Sequence, residues 1–126
     1  MSLTTLIPLA VAASFIAMGL IAFVRPAYVM SYFGVATLTA ELRNEVRAVY
    51  GGFGIALGVL LIATVTSADL ACGVQLTAAV SLLGMAGGRI IGWSIESSGI
   101  WPRLFGVVEL VAGVALLYCV SRIWPV

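Results

Sequence analysis

The fold is decided by residues 41–58, which read ELRNEVRAVYGGFGIALG and join a block of charge directly to an apolar, glycine-rich segment. The block contains five ionisable or strongly hydrogen-bonding side chains: Glu41, Arg43, Asn44, Glu45 and Arg47. From Ala48 onward the chain carries no charge until Asp69. An uncharged run of about 20 residues is long enough to cross a bilayer as a helix. The stretch therefore predicts a membrane helix with a charged entrance.

The spacing of the charges in this block sets like charges next to each other. Side chains four residues apart are neighbours on a helix, and here Glu41 precedes Glu45 and Arg43 precedes Arg47 by that interval. A solvated surface helix usually places Glu against Arg at this spacing. We therefore expect these groups to find partners in other helices, in lipid phosphates or in a ligand.

The composition is that of an integral membrane protein. Of 126 residues, 63% are hydrophobic and only 9% are charged, against about 25% charged residues in soluble domains. The length allows roughly four spans of about 20 residues, so we expect a single domain over residues 1–126. A net charge of +1 provides no field that would attract nucleic acid.

Four apolar segments predict four spans, at residues 5–24, 41–66, 70–93 and 101–124. The first lacks a basic stretch before its apolar run, so it is expected to remain as a span and not to be a signal peptide. With short connections the predicted fold class is all-α, an antiparallel up-down-up-down four-helix bundle. The connection 27–40 carries Tyr28, Tyr32 and Phe33, which favours a short interfacial helix, broken near Gly34, over a lid on a binding site.

The distribution of arginine predicts the orientation. Arg25, Arg43 and Arg47 lie beside the first connection, Arg89 and Arg103 flank the third, and only Arg122 lies at the other surface. The positive-inside rule then places the first and third connections in the cytoplasm and both termini outside.

This topology brings five side chains to a similar depth, and they form the candidate site: Glu45, Arg47, Tyr50, Arg89 and Glu109. Glu109 lies about six residues, or ~9 Å, into the fourth span. An unpaired acid there costs ~2.5 to 3.5 kcal/mol or more, so we expect Arg89 to form a salt bridge with Glu109. The cluster is either a pocket for the headgroup of a small amphiphile or a set of ion pairs that fixes helix register.

Two sets of glycines predict close helix packing. Gly51, Gly54 and Gly58 in the second span are expected to pack on Gly84, Gly88 and Gly92 in the third. Whichever glycine face stays free is expected to support self-association.

Cys72 and Cys119 are expected to lie near the outer surface. A disulfide between them is conceivable in an oxidising compartment, but two buried thiols are the favoured interpretation. Without His, two cysteines make no usual metal site, and no metal or cofactor is predicted.

The charged motif and three later sequence features together resemble the pattern of a known protein family. Residues 41–52 read Glu-x-Arg-x-Glu-x-Arg-Ala-x-Tyr-Gly-Gly, and Gly88-Arg89, Gly99-x-x-Pro102 and Glu109 follow. This pattern resembles the small four-helix bacterial membrane proteins catalogued as a domain of unknown function, a family similar to the DoxX-like group. That family often has Asp before the loop glycine, where this chain has Ser98. The resemblance implies the fold and the topology, in a bacterial inner membrane, and some DoxX-like relatives accompany quinone-linked oxidoreductases.

The predicted function is therefore a small membrane protein that binds an amphiphile of lipid or quinone type, or that serves as accessory subunit of a membrane complex. One alternative is a small membrane enzyme in which Glu109 or Glu45 acts as acid or base. Another is a proton-coupled transporter. The sequence favours a non-enzymatic role, because the cluster is not a recognised catalytic set. A small multidrug exporter is disfavoured, since such exporters carry an acid in the first span and this chain has none there.

Overall fold

The computed structural model describes residues 1–124, which form helices and connections without a strand. Four long helices are apolar enough to cross a membrane: α1 (Leu3–Val24), α3 (Ala40–Ala63), α4 (Ala68–Ile95) and α5 (Ile100–Ile123). A short helix, α2 (Pro26–Ser31), follows α1. The predicted all-α class with four spans is confirmed, and the observed bounds lie within a few residues of those predicted.

The connection between α1 and α3 is shaped by local backbone chemistry. Pro26, which lacks a backbone N–H, stands at the first position of α2. Gly34 adopts φ +77°, a left-handed conformation that glycine reaches without steric cost, and the chain breaks there as predicted. The Thr39 hydroxyl then accepts a 3.2 Å hydrogen bond from the Leu42 backbone N–H and caps α3.

Helices α1 and α3 pack antiparallel through glycines. A Cβ atom at Gly58 would lie 2.9 Å from the Ala12 carbonyl oxygen, and one at Gly19 would lie 2.9 Å from the Gly51 carbonyl oxygen. Only residues without a side chain allow backbones to approach so closely. The glycine face of α3 is therefore covered by α1.

This packing corrects the prediction that the glycines of α3 meet those of α4. Gly51 and Gly54 contact Phe23 and Phe15 of α1, whereas a Cβ at Gly84, Gly88 or Gly92 would meet nothing within 4 Å. The spacing of small residues predicts a close contact but does not say which helix provides it. The α4 glycines face outward.

Helices α4 and α5 also pack antiparallel. At Gly113 of α5 a Cβ atom would lie 3.1 Å from the Ala79 carbonyl oxygen and 2.8 Å from the Leu83 side chain. The core between the helices is apolar and consists of Val11, Ala12, Leu57, Leu61, Ala78, Ala79, Leu82 and Leu116. Many large apolar side chains face outward, for example Val80, Val107 and Val111, as expected where lipid is the solvent.

A buried polar contact joins α4 to the end of α3. The Gln75 Nε2 atom donates a 3.2 Å hydrogen bond to the Thr64 hydroxyl, which in turn donates to the Leu61 carbonyl. Among residues 1–124 the Gln75 Oε1 atom has no partner. This contact lies toward the end of the bundle where α3 passes into α4.

The opposite end carries most of the charge. There Tyr32, after α2, packs its ring on Trp101 at the start of α5, with centroids 4.8 Å apart. The Arg47 Nε atom donates a 3.1 Å hydrogen bond to the Phe23 carbonyl at the end of α1. The end of α1, the start of α3, the end of α4 and the start of α5 therefore meet here, and we call this the charged end.

Candidate functional site

The candidate site is built on an ion pair between α4 and α5. Arg89 donates from Nε to Glu109 Oε2 and from Nη2 to Glu109 Oε1, both at 2.7 Å. This two-bond arrangement matches the planar guanidinium fork to the carboxylate. The Glu109 side chain is only 9% exposed, while the Arg89 side chain is 21% exposed. The predicted approach of these two residues is confirmed.

Glycine at position 106 leaves room for the Arg89 side chain beside α5. Gly106 lies one turn before Glu109 on the same helix face, beneath the Trp93 ring of α4. A Cβ atom there would lie 2.9 Å from Trp93 and 3.3 Å from the Cδ atom of Arg89. Any larger residue at this position would push against the stem of Arg89.

Aromatic rings cover the pair on the side of the charged end. The Arg89 guanidinium carbon lies 5.7 Å from the Phe105 ring centroid, a distance suited to a cation–π interaction. Phe105 packs on Phe33 at 5.7 Å and on Tyr32 at 6.0 Å. We call Tyr32, Phe33, Tyr50, Trp101 and Phe105 the aromatic cover.

The connection 27–40 thus contributes two rings of the aromatic cover. Tyr32 donates a hydrogen bond to the Tyr28 hydroxyl, and this bond raises the pKa of Tyr32 above its ordinary value. Tyr32 and Phe33 turn toward α5, and Tyr28 is the more exposed ring. Interfacial anchoring, the favoured interpretation of this connection, stays a prediction; the structure shows in addition that Tyr32 and Phe33 pack on rings of α5.

Tyr50 reaches the aromatic cover from a distorted part of α3. Residues Arg47–Gly52 form a π-helical turn, a rare widening that is often found at functional sites. The Tyr50 ring packs near Phe33 at 6.5 Å. Among residues 1–124 its hydroxyl has no hydrogen-bond partner.

Comparison with known proteins assigns the chain to a family. A family model described as a domain of unknown function, DUF4345, matches residues 3–123. The chain belongs to the DUF4345 family. No curated protein and no solved structure matches this chain. The predicted membership of a domain of unknown function is therefore confirmed, while the likeness to the DoxX-like group stays a prediction.

Two residues of the predicted site lie apart from the ion pair in this DUF4345 chain. Arg47 turns to the Phe23 carbonyl of α1, one of the last carbonyls of a helix that lack partners within it. Glu45 is exposed, and neither residue makes a salt bridge within residues 1–124. The structure thus pairs Arg89 with Glu109 and connects Tyr50 to them through Phe33 and Phe105, whereas Glu45 and Arg47 stay outside this group.

Sequence reasoning missed the residues that surround the pair. Phe105 lies one turn before Glu109, and Trp93 lies one turn after Arg89; this spacing would have placed both beside the ion pair. Phe33 had no such signal, because it lies after the end of α2 in the non-helical part of the connection.

The thiols and acids of the described residues form no further centre. Cys72 and Cys119 are both free, and Cys119 is buried. Within residues 1–124 no three His, Cys, Asp or Glu side chains come together as a metal site would require.

Proposed function

We propose that this protein is a membrane protein that binds a small amphiphile, of lipid or quinone type, with its headgroup at the Arg89–Glu109 pair. One observation carries the proposal. Arginine has five N–H donors, and the pair uses one on Nε and one on Nη2. No other acceptor for Arg89 lies within residues 1–124. A partly exposed guanidinium with three free donors favours an oxygen-bearing ligand.

The aromatic cover supports the same proposal. Register between α4 and α5 needs the ion pair and the glycines, but it does not need rings from α3 and from the connection 27–40. Flat rings beside a polar anchor are typical of small-molecule sites. Tyr32 and Phe33 belong to a connection and not to a long helix, and we propose that they move aside to admit the ligand.

The geometry favours binding over acid–base catalysis. Both Glu109 oxygens accept from Arg89, so proton transfer by this acid requires the pair to open first. Glu45, the other acid considered, is exposed and lies outside the group. Acid–base catalysis by Glu109 would therefore require a substrate that displaces Arg89 from the carboxylate.

A proton-coupled transporter is the less favoured alternative. The polar Gln75–Thr64 contact and the Arg89–Glu109 pair lie toward opposite ends of the bundle. Between them stands the closely packed apolar core, with Leu61, Ala78 and Leu116 fully buried. Transport would require this core to separate.

For location, we propose the bacterial inner membrane, with the charged end in the cytoplasm and both termini outside. The support is the count of arginines, of which five of six lie at or near the charged end.

For partners, we propose self-association or docking on a larger membrane complex through the outward glycines of α4. Gly84, Gly88 and Gly92 have open space where a side chain would be. Such a face lets a second helix approach closely within a bilayer.

Mass spectrometry of the purified protein tests the proposed binding. The full chain is purified in mild detergent, extracted with organic solvent and compared with Arg89→Gln and with the control Arg122→Gln, which alters an exposed arginine at the other end. We expect one class of amphiphile to co-purify with the wild type and with the control but to be depleted in Arg89→Gln. Equal amphiphile content in all three would contradict the proposal.

A further inference from the structure

We propose that the headgroup bound at the Arg89–Glu109 pair is uncharged, a flat ring bearing carbonyl oxygens, and not an anionic phosphate. This inference rests on the proposed function and names the chemical class of its ligand. It depends on the charge balance of the site, on the free donors and on the rings around them.

The ion pair leaves the site with no net charge. Glu109 approaches Arg89 through two hydrogen bonds of 2.7 Å, so any group bound to the remaining guanidinium donors also lies near the carboxylate. An anion would be attracted by one partner and repelled by the other, and it would lose its hydration on entry. A neutral acceptor gains the hydrogen bond without that repulsion.

No other cation compensates Glu109 in the described part of the chain. Arg47 is engaged with the Phe23 carbonyl, and Arg103 is exposed and makes no ion pair within residues 1–124. A phosphate site usually presents more positive charge than negative. This site presents one positive charge, on Arg89, and one negative charge, on Glu109.

The free donors and the rings fit a flat carbonyl compound. The Arg89 Nη1 group and the Tyr50 hydroxyl both lack acceptors among residues 1–124, and each can donate to a carbonyl oxygen. Phe105 and Phe33, whose rings pack on each other with centroids 5.7 Å apart, are side chains of the kind on which a planar ring stacks. An acyl glycerol phosphate offers neither a ring nor a neutral head.

Calorimetric titration of the full chain in an uncharged detergent tests the charge class. The two probes are a short-chain benzoquinone, which is uncharged and flat, and a short-chain phosphatidylglycerol, which is anionic. We expect the wild type to bind the quinone at least about tenfold more tightly than the phosphatidylglycerol, a factor that corresponds to ~1.4 kcal/mol.

The variant Glu109→Gln keeps the shape of the acid and removes its charge. Arg89 is then uncompensated, so affinity for phosphatidylglycerol should rise at least about tenfold, while Glu96→Gln, at an exposed acid of the neighbouring connection, should leave it unchanged. If Glu109→Gln does not fold, the relative affinities of the wild type for the two probes are sufficient to test whether the headgroup is uncharged.

The outcomes separate the two proposals. Preference of the wild type for phosphatidylglycerol would overturn the uncharged headgroup and leave amphiphile binding intact. Equal affinity for both probes would also overturn it. Binding of neither probe, together with no co-purifying amphiphile, would contradict the proposed function itself.

Discussion

Gly106 of α5 lies against the benzene edge of the Trp93 indole of α4, so the absence of a side chain at Gly106 lets the two helices approach closely at the level of the ion pair. A Cβ atom at Gly106 would come within 2.9 Å of the ring and 3.3 Å of Arg89 Cδ. The Arg89 side chain, which binds Glu109, therefore passes over Gly106, which has no side chain.

We expect Gly106→Ala to destabilise the bundle by about 1 to 3 kcal/mol, the usual cost of overpacking. The matched control is Gly73→Ala on α4, outside the proposed association face, where an added methyl group meets nothing within 4 Å, so its effect should stay within about 1 kcal/mol. Thermal unfolding of both variants in one detergent measures the difference. An equal or larger loss in the control would contradict the described packing.

The ion pair itself predicts a non-additive pair of substitutions. Arg89→Gln and Glu109→Gln each leave one charge without its partner, and we expect each to cost toward the lower end of ~3 to 5 kcal/mol because Arg89 is partly exposed. The double variant should recover part of that loss. A double-mutant cycle on unfolding free energies gives the coupling, and losses that simply add would show that the pair contributes no mutual stabilisation.

The sequence was sufficient to predict the class, the spans and the pair. Long apolar runs fix the helices, and the depths of Arg89 and Glu109 follow from counting residues along two consecutive antiparallel helices. The partner of the α3 glycines was not predictable in the same way. Gly54 can pack on any helix with a smooth face, and α1 provides one with Ala12 and Gly19.

The contacts within the aromatic cover were harder to predict from the sequence. Phe33 belongs to a connection whose path depends on the positive φ of Gly34 and on the Thr39 cap. Tyr50 was predicted for the site, but the π-helical turn in which it lies was not, because the prediction assumed regular α-helical spacing. Arg47 was misplaced for a different reason, because a free carbonyl at the end of α1 competes for its donors.

The proposed orientation predicts a labelling pattern. In a chain without Cys72 and Cys119, we expect Thr66→Cys to react with an impermeant thiol reagent added outside and Ser97→Cys to react only after the membrane is opened. Both positions are exposed, whereas the neighbouring Ser98 hydroxyl oxygen is buried and is a poorer site. The reverse pattern would place the charged end outside and contradict the arginine count.

The most direct test of the central claim is where a bound amphiphile lies. An uncharged quinone-type amphiphile carrying a photoactivatable diazirine at its head is irradiated with the full chain, and the adducts are mapped by peptide mass spectrometry. We expect adducts on Phe33, Tyr50 and Phe105 that disappear with excess unlabelled amphiphile and are lost in Arg89→Gln. Adducts confined to outward-facing residues such as Val80 and Val107, unchanged by competitor and by Arg89→Gln, would contradict a headgroup site at the Arg89–Glu109 pair.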